Sequence, residues 1–217
     1  MNIPIEQYSV LVFDCDGVVL NSNKLKAEAF YQAALPYGEG AAQALLFYHI
    51  ENGGVSRYQK FSYFLNNIVE GQFGPSLDAV LRTYGGLIKE GMLSCQIESG
   101  LYALRERTPA ARWLIVSGGD ENELRGIFTN RGLANLFDGG IYGSPATKHE
   151  ILARERASGN ISGNAVFLGD SRYDHAAATR AGLDFIFISQ WSEFENWKSY
   201  FQEHPVMCVS SLSELTG

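Results

Sequence analysis

The sequence has little of what marks several protein classes. Its three cysteines, Cys15, Cys95 and Cys208, lie far apart and form neither a CxxC pair nor a disulfide framework. A reducing, cytoplasmic setting is therefore expected. Basic residues are the minority, 17 against 24 acidic ones, for a net charge of −7. A phosphate backbone needs a Lys/Arg surplus on at least one face, and an anionic membrane surface needs a basic cluster, so neither nucleic acid nor membrane is expected as a partner. No stretch approaches the ~18 apolar residues of a membrane helix. Met1–Val10 lacks the basic start of a secretory signal, and the apolar run that follows is cut by Asp14 and Asp16.

What is present is core material. In 217 residues, 46% are hydrophobic, enough for one large domain or a domain with an insert. Aspartate, by contrast, is scarce and clustered. Of eight Asp residues, four fall in two short segments, Asp14/Asp16 and Asp170/Asp174, each directly after an apolar run.

Tyr8–Phe13, Arg112–Val116, Ala165–Leu168 and Asp184–Ile188 are short, β-branched or aromatic-rich runs, each followed by Asp, Ser or Gly. They read as strands buried on both faces of a parallel sheet, with Val206–Val209 as a further short one. Helical patterns over Asp120–Arg131, Ala146–Ser158 and Tyr173–Ala181 alternate with them, Gly132 and Gly182 standing as C-caps. This alternation predicts a doubly wound, Rossmann-like α/β sheet. Between the first two strands, Ser22–Leu35, Gly40–Glu51, Ser56–Glu70 and Pro75–Met92 are helical in pattern, with Ser56 a candidate N-cap. The expected organisation is an α/β core over 1–17 and 93–217 with an all-helical insert at 18–92, joined near Asn21–Asn23 and Leu93–Glu98.

Four segments carry chemistry, and each alone has an ordinary structural reading beside it. Asp14-Cys15-Asp16-Gly17 ends the first strand, where open α/β sheets bind ligands; one Asp can attack an electrophile while the other moves a proton. It is also a plain Asp-Gly turn. Asp170 and Asp174, in GDSRYD, can share a hard cation, or can be a helix cap and a surface Asp. Ser117-Gly118-Gly119 offers a hydroxyl and backbone N–H groups to an anion at a helix start, or a simple N-cap. Lys148 opens a helix, where it opposes the dipole unless aimed at an anion, although most lysines are surface lysines. Cys15 reads as packing, since two flanking carboxylates disfavour its thiolate. His175 reads as a surface or helix-start residue.

The order DxD, Ser-Gly, Lys, GDxxxD at successive strand ends resembles the four motifs of the haloacid dehalogenase superfamily, with DCDGVV, VSGG, Lys148 and GDSRYD in those places, and the helical insert is similar to the cap of its helical-cap subclass. The resemblance spans the chain. It implies an aspartyl-phosphate mechanism: Asp14 as nucleophile, Asp16 as general acid and then base, Ser117, Gly118 and Lys148 on the phosphoryl oxygens, and Mg²⁺ held by Asp14, the Asp16 carbonyl, Asp170 and Asp174. The cap loop Gly53–Lys60 looks like that of the β-phosphoglucomutase branch, which implies that Arg57 and Lys60 bind a second anionic group. The expected function is a Mg²⁺-dependent phosphatase of a small phosphorylated metabolite, a sugar phosphate or phospho-acid, working as a monomer or homodimer. A phosphosugar mutase is the alternative, and a phosphonate hydrolase using Lys24, Lys26 or Lys60, or a non-catalytic phosphometabolite-binding protein, stand behind it. Asn21-Ser22 in place of the frequent Asp-Ser, and His149 after Lys148 in place of Pro, depart from the common pattern.

Overall fold

The computed structural model describes residues 4–216, so Met1–Ile3 and Gly217 of the expected core lie outside the described residues. Strand β1, Val10–Phe13, is buried along its whole length. It lies at the centre of a six-stranded, all-parallel sheet with β2 (Arg112–Asp120), β3 (Gly140–Ser144), β4 (Ala165–Gly169), β5 (Asp184–Ile188) and β6 (Met207–Val209). The spatial order is β3-β2-β1-β4-β5-β6. After β3 the chain crosses back over β1 to lay down β4, so the carboxyl end of β1 sits at the topological switch point, between the ends of β2 and β4.

Side chains alternate between the two faces with the period of two that a strand dictates. Leu11, Phe13, Trp113, Ile115, Val166 and Leu168 enter one core, whereas Val10, Val12, Leu114, Val116 and Phe167 enter the other. The second core is closed by Ile151 and Leu152 of α7 (Lys148–Ala157), Ala177 and Ala178 of α8 (Arg172–Ala181), and Phe201 of α9 (Trp197–Glu203). The first takes Leu101 and Leu104 of α5 (Leu101–Arg107) and Leu124 and Phe128 of α6 (Glu121–Asn130). Phe13 is fully buried between Trp113 and Phe137, at ring-centroid distances of 4.6 and 5.6 Å; truncating such a residue to Ala costs roughly 3–5 kcal/mol.

Helices α1 (Asn23–Ala34), α2 (Glu39–Glu51), α3 (Arg57–Tyr63) and α4 (Leu77–Ser94) fill the stretch between β1 and β2. Phe30, Phe61 and Tyr84 meet at its centre. The two strands of chain that join it to the sheet run side by side: Asn21 N–H donates to Gln96 O at 2.9 Å, and Leu20 pairs with Ile97. Among the described residues no helix is long and apolar enough to cross a membrane.

The elements differ from expectation in four places. The helix beginning at Ser56, whose Oγ accepts from Gln59 N–H, stops being α-helical after Tyr63 and continues as a π-helical turn over Phe64–Ile68. Asn67 Nδ2 donates to Tyr63 O at 3.0 Å, a side-chain bond that competes with the helical ladder. Strand β3 was not anticipated, because GIYGS carries two glycines and little apolar signal. Helices α5 and α9, of seven residues each, were not anticipated either. Finally, β2 extends through Ser117-Gly118-Gly119 with a register shift between Val116 and Asp120, and it is Asp120 that caps α6. The Ser-Gly-Gly cradle is thus a bulged strand end, not a helix start.

Candidate active site

The ends of β1, β2 and β4 and the start of α7 converge on one buried cluster. Asp14, one residue beyond β1, is 2% exposed, and its Oδ1 lies 2.9 Å from Lys148 Nζ. Asp174 lies in the first turn of α8, where Ser171 Oγ and N–H both donate to its Oδ2 in a capping box; its Oδ1 takes Lys148 Nζ at 2.5 Å. Asp170, just after β4, accepts from Asn23 Nδ2 at 2.8 Å. One carboxylate oxygen each of Asp14, Asp170 and Asp174 falls within a 4.8 Å span.

Burial raises the Asp14 carboxyl to about 7, with Asp174 and Asp16 adding to the shift and Lys148 opposing it. Burial likewise lifts Asp170 well above the carboxylate range, helped by Asp14 and Asp174. For Lys148 burial alone would lower the pKa, but Asp14 and Asp174 outweigh it and hold the ammonium charged. Three buried carboxylates around one ammonium carry a surplus of negative charge, and the donor set is all hard oxygen. That set fits Mg²⁺, which takes one or two carboxylates and keeps several waters.

Gly17 makes this packing possible. Its φ is +79°, and a Cβ there would lie 2.0 Å from Asp170 Oδ2. Only glycine takes that conformation readily and leaves that space empty.

Asp16 is placed apart from the three-carboxylate cluster. Ser22 Oγ donates to its Oδ1 at 2.6 Å and Lys26 Nζ, from α1, to its Oδ2 at 2.5 Å. Burial would raise this carboxyl, but Lys26 and the Ser22 hydroxyl hold it below the ordinary value. Ser117 is fully buried, and its Oγ accepts from Gly119 N–H at 3.0 Å, which leaves its own proton to donate. Gly118 faces the helical layer: a Cβ on it would meet Gly54 O at 2.3 Å. The Gly53-Gly54 loop therefore lies directly over the strand ends.

Arg57 and Lys60 both line the same cavity as Asp14 and Asp170. Neither is a free surface cation. Arg57 Nη2 is 2.7 Å from Glu123 on α6, and Tyr58 OH donates to Asp120 at 2.8 Å. Lys60 is 1% exposed and donates to His49 Nδ1 at 2.7 Å. Cys15 is fully buried, and burial, then Asp16, pushes its thiol well up, as packing requires. His175 is a helix-start residue, the fourth of α8, and half-buried, its Nδ1 2.9 Å from Tyr200 OH.

Asn23, His49, Glu123 and Glu193 line this cavity without any motif in the sequence to mark them, and Lys26 lines it as the partner of Asp16, beside Ser22. The one local signal was Ser22 ahead of α1 with Lys26 four residues on, a spacing that puts both on one helix face.

A family model described as haloacid dehalogenase-like hydrolase matches residues 11–188. Among curated proteins none matches. Among solved structures the chain is similar to a haloacid dehalogenase-like family hydrolase from Streptococcus pneumoniae, at 17% identity over 96% of this chain and 97% of that one, with a TM-score of 0.69. It is similar to CbbY from Rhodobacter sphaeroides, solved in complex with phosphate, at 19% identity over 97% of each chain and a TM-score of 0.71. It is also similar to a protein from Haemophilus somnus described as a predicted phosphoglycolate phosphatase, at 17% identity over 96% of each chain and a TM-score of 0.74. At these identities the structural likeness shows the fold.

Proposed function

This chain belongs to the haloacid dehalogenase-like hydrolase family, and on that premise we propose that it is a Mg²⁺-dependent phosphatase of a small phosphorylated metabolite, working through an aspartyl-phosphate on Asp14. The observation that carries this reading is the cluster of Asp14, Asp170 and Asp174 closed around Lys148 at the switch point of the sheet. Phosphoryl transfer is mainly positioning and charge stabilisation, and such a cluster supplies both.

In this reading an Asp14 carboxylate oxygen attacks phosphorus, and the bond from phosphorus to the leaving oxygen breaks. Asp16, in its protonated form, gives that oxygen a proton. Asp16 then takes a proton from water, which attacks the aspartyl-phosphate and frees inorganic phosphate with Asp14 restored. Lys148, the Ser117 hydroxyl and the Gly118 N–H hold the phosphoryl oxygens. Asp14, the Asp16 carbonyl, Asp170 and Asp174 would hold Mg²⁺, which when bound would neutralise charge at the phosphoryl group. The Gly53-Gly54 loop over Gly118 keeps bulk water from the intermediate. Asp16 as an acid–base group also separates this chemistry from dehalogenation. The chain is read as a cytoplasmic protein.

The test is phosphate release from a broad phosphoester panel with Mg²⁺, run beside Asp14→Asn. Turnover by the wild type that vanishes in the variant supports the reading. Turnover that survives in Asp14→Asn removes the nucleophile assignment.

A further inference from the structure

One cavity of about 340 Å³ runs from Asp14 and Asp170 to the inner faces of α1–α4. Its far end is rich in cations but not cationic. Lys26 is paired with Asp16 at 2.5 Å. Arg57 is paired with Glu123 at 2.7 Å, with Asp120 at 3.9 Å behind it. Lys60 has His49 as its partner, and Glu193, from the loop after β5, places Oε2 3.8 Å from His49 Nε2. Lys26 and Arg57 are thus each paired with a carboxylate, and Asp16, Asp120, Glu123 and Glu193 all lie on the cavity wall. A second phosphate or a carboxylate entering here would meet these four carboxylates and would have to displace a pair to reach Lys26 or Arg57.

The same wall holds unmet hydrogen-bonding capacity. His49 and Arg57 are each 8% exposed, and among the described residues His49 Nε2 and Arg57 Nε have no hydrogen-bond partner. Burial, with Lys60 and Lys26 beside it, holds the His49 imidazole well below its ordinary pKa, so the ring is neutral. Nδ1 is taken up by the hydrogen bond with Lys60 Nζ at 2.7 Å, so Nε2 is the ring nitrogen left without a partner among the described residues. Two buried nitrogens are thus unmatched in a wall that also carries carboxylate acceptors, with Glu193 Oε2 3.8 Å from His49 Nε2 and Glu123 against Arg57. A hydroxyl group both accepts and donates, and it is the group that such a mixed wall satisfies without altering its charge. Phe30, its ring tilted by 32° against His49 at a centroid distance of 4.4 Å, adds an apolar wall suited to a C–H face.

We propose that the far end of the cavity reads a neutral polyol, so that the substrates are monophosphates of sugars or sugar alcohols rather than phosphorylated acids or bisphosphates, with His49, Lys60 and Glu193 as specificity-determining residues. The proposal rests on the phosphatase reading above and narrows it. It also sets the chain apart from a mutase, whose bisphosphate intermediate needs a free cation where Arg57 is already bound to Glu123.

The test uses three matched six-carbon probes: glucitol 6-phosphate, 6-phosphogluconate and fructose 1,6-bisphosphate. Hydrolysis of p-nitrophenyl phosphate by the wild-type protein with Mg²⁺ checks the phosphatase reading separately. For the wild type, kcat/KM is expected to be at least about ten-fold higher for glucitol 6-phosphate than for either of the other two, the range of one charged hydrogen bond left unmatched. Glu193→Gln keeps the size of the side chain and removes one negative charge. It is expected to raise the ratio of 6-phosphogluconate to glucitol 6-phosphate by about five-fold or more, a shift in selectivity that a merely structural role would not produce. Affinities of the three probes for the Asp14→Asn protein, measured by calorimetry, give the same order without turnover, so the subsite is judged even if p-nitrophenyl phosphate is not hydrolysed. Equal affinity for polyol and acid, or a ratio unmoved by Glu193→Gln, overturns the proposal.

Discussion

Replacing Lys60 by methionine removes a buried amine while nearly conserving volume, and its effect on stability should depend on pH in a calculable way. Lys60 is 1% exposed, bonded to His49 Nδ1 and His49 O, and among the described residues no carboxylate lies within ion-pair distance of it. Burial, reinforced by Lys26 and Lys148, lowers its pKa from 10.5 to about 7. Between those two values the unfolded chain holds a proton that the folded one does not. Wild-type stability therefore rises with pH across that window, and is lost as pH falls through the folded value. From about pH 7.5 to about pH 9.5 linkage gives a gain of about 2.5 kcal/mol for the wild type, and Lys60→Met lacks this gain. At about pH 7.5 the variant is expected to be the more stable by about 1–4 kcal/mol, the cost of taking the proton from a lysine that stays charged in the unfolded chain. That advantage should shrink, or reverse, by about pH 9.5. Urea denaturation of both proteins at the two pH values, followed by tryptophan fluorescence, reads the difference as a relative midpoint shift of roughly 1 M. All other titrating groups cancel in the comparison. A stability gap that stays flat or widens with pH would refute the reasoning.

Asp14→Asn removes the attacking oxygen, and kcat in a phosphate-release assay is expected to fall by ~10³-fold or more; chelation by EDTA should abolish wild-type turnover, and added Mg²⁺ should restore it. Gly17→Ala places a methyl 2.0 Å from Asp170 Oδ2 at a φ of +79°, so about 1–3 kcal/mol of strain should appear as a Tm lower by roughly 3–10 °C in calorimetry. Arg57→Lys keeps the charge and loses the planar fork that holds Glu123; amide exchange should accelerate in residues 52–60 and at the start of α6, while Tm moves by less than about 3 °C.

The strands that build the site are legible because each is an apolar run punctuated by Asp, Ser or Gly: β1, β2, β4 and β5 are all of this kind. GIYGS of β3 carries no such signal, since its burial is supplied by the neighbouring β2 and not by its own side chains. Trp197–Glu203 buries only Phe201, so α9 leaves no apolar stripe to read. The motif residues could be found by kind and order, and Asp14, Lys148, Asp170 and Asp174 do meet. What sequence could not convey is pairing across long separations. Asn23 reaches Asp170 across 147 positions, and Tyr58 reaches Asp120 across 62. Nor could it show that Arg57 is already held by Glu123, because a basic residue beside a Gly-Gly loop looks the same whether its partner is substrate or protein.

The polar pairs on the cavity wall serve two ends at once. Lys26 with Asp16, Arg57 with Glu123, Tyr58 with Asp120 and His49 near Glu193 each join a residue of α1–α4 to a residue of the α/β layer. Exposed ion pairs contribute little, but Lys26 and Arg57 are about nine-tenths buried, and breaking a buried pair from one side strands the other charge. A ligand group that competed for any of these cations would therefore loosen the contacts that hold the helices over the strand ends, where water must be kept from the phosphoryl group. A neutral hydroxyl array hydrogen-bonds to the same wall and leaves every pair intact. Selection of the leaving group and closure over the site thus depend on one set of interactions, so a substitution that shifts selectivity at Glu193 should also shift how tightly α2 and α3 are held.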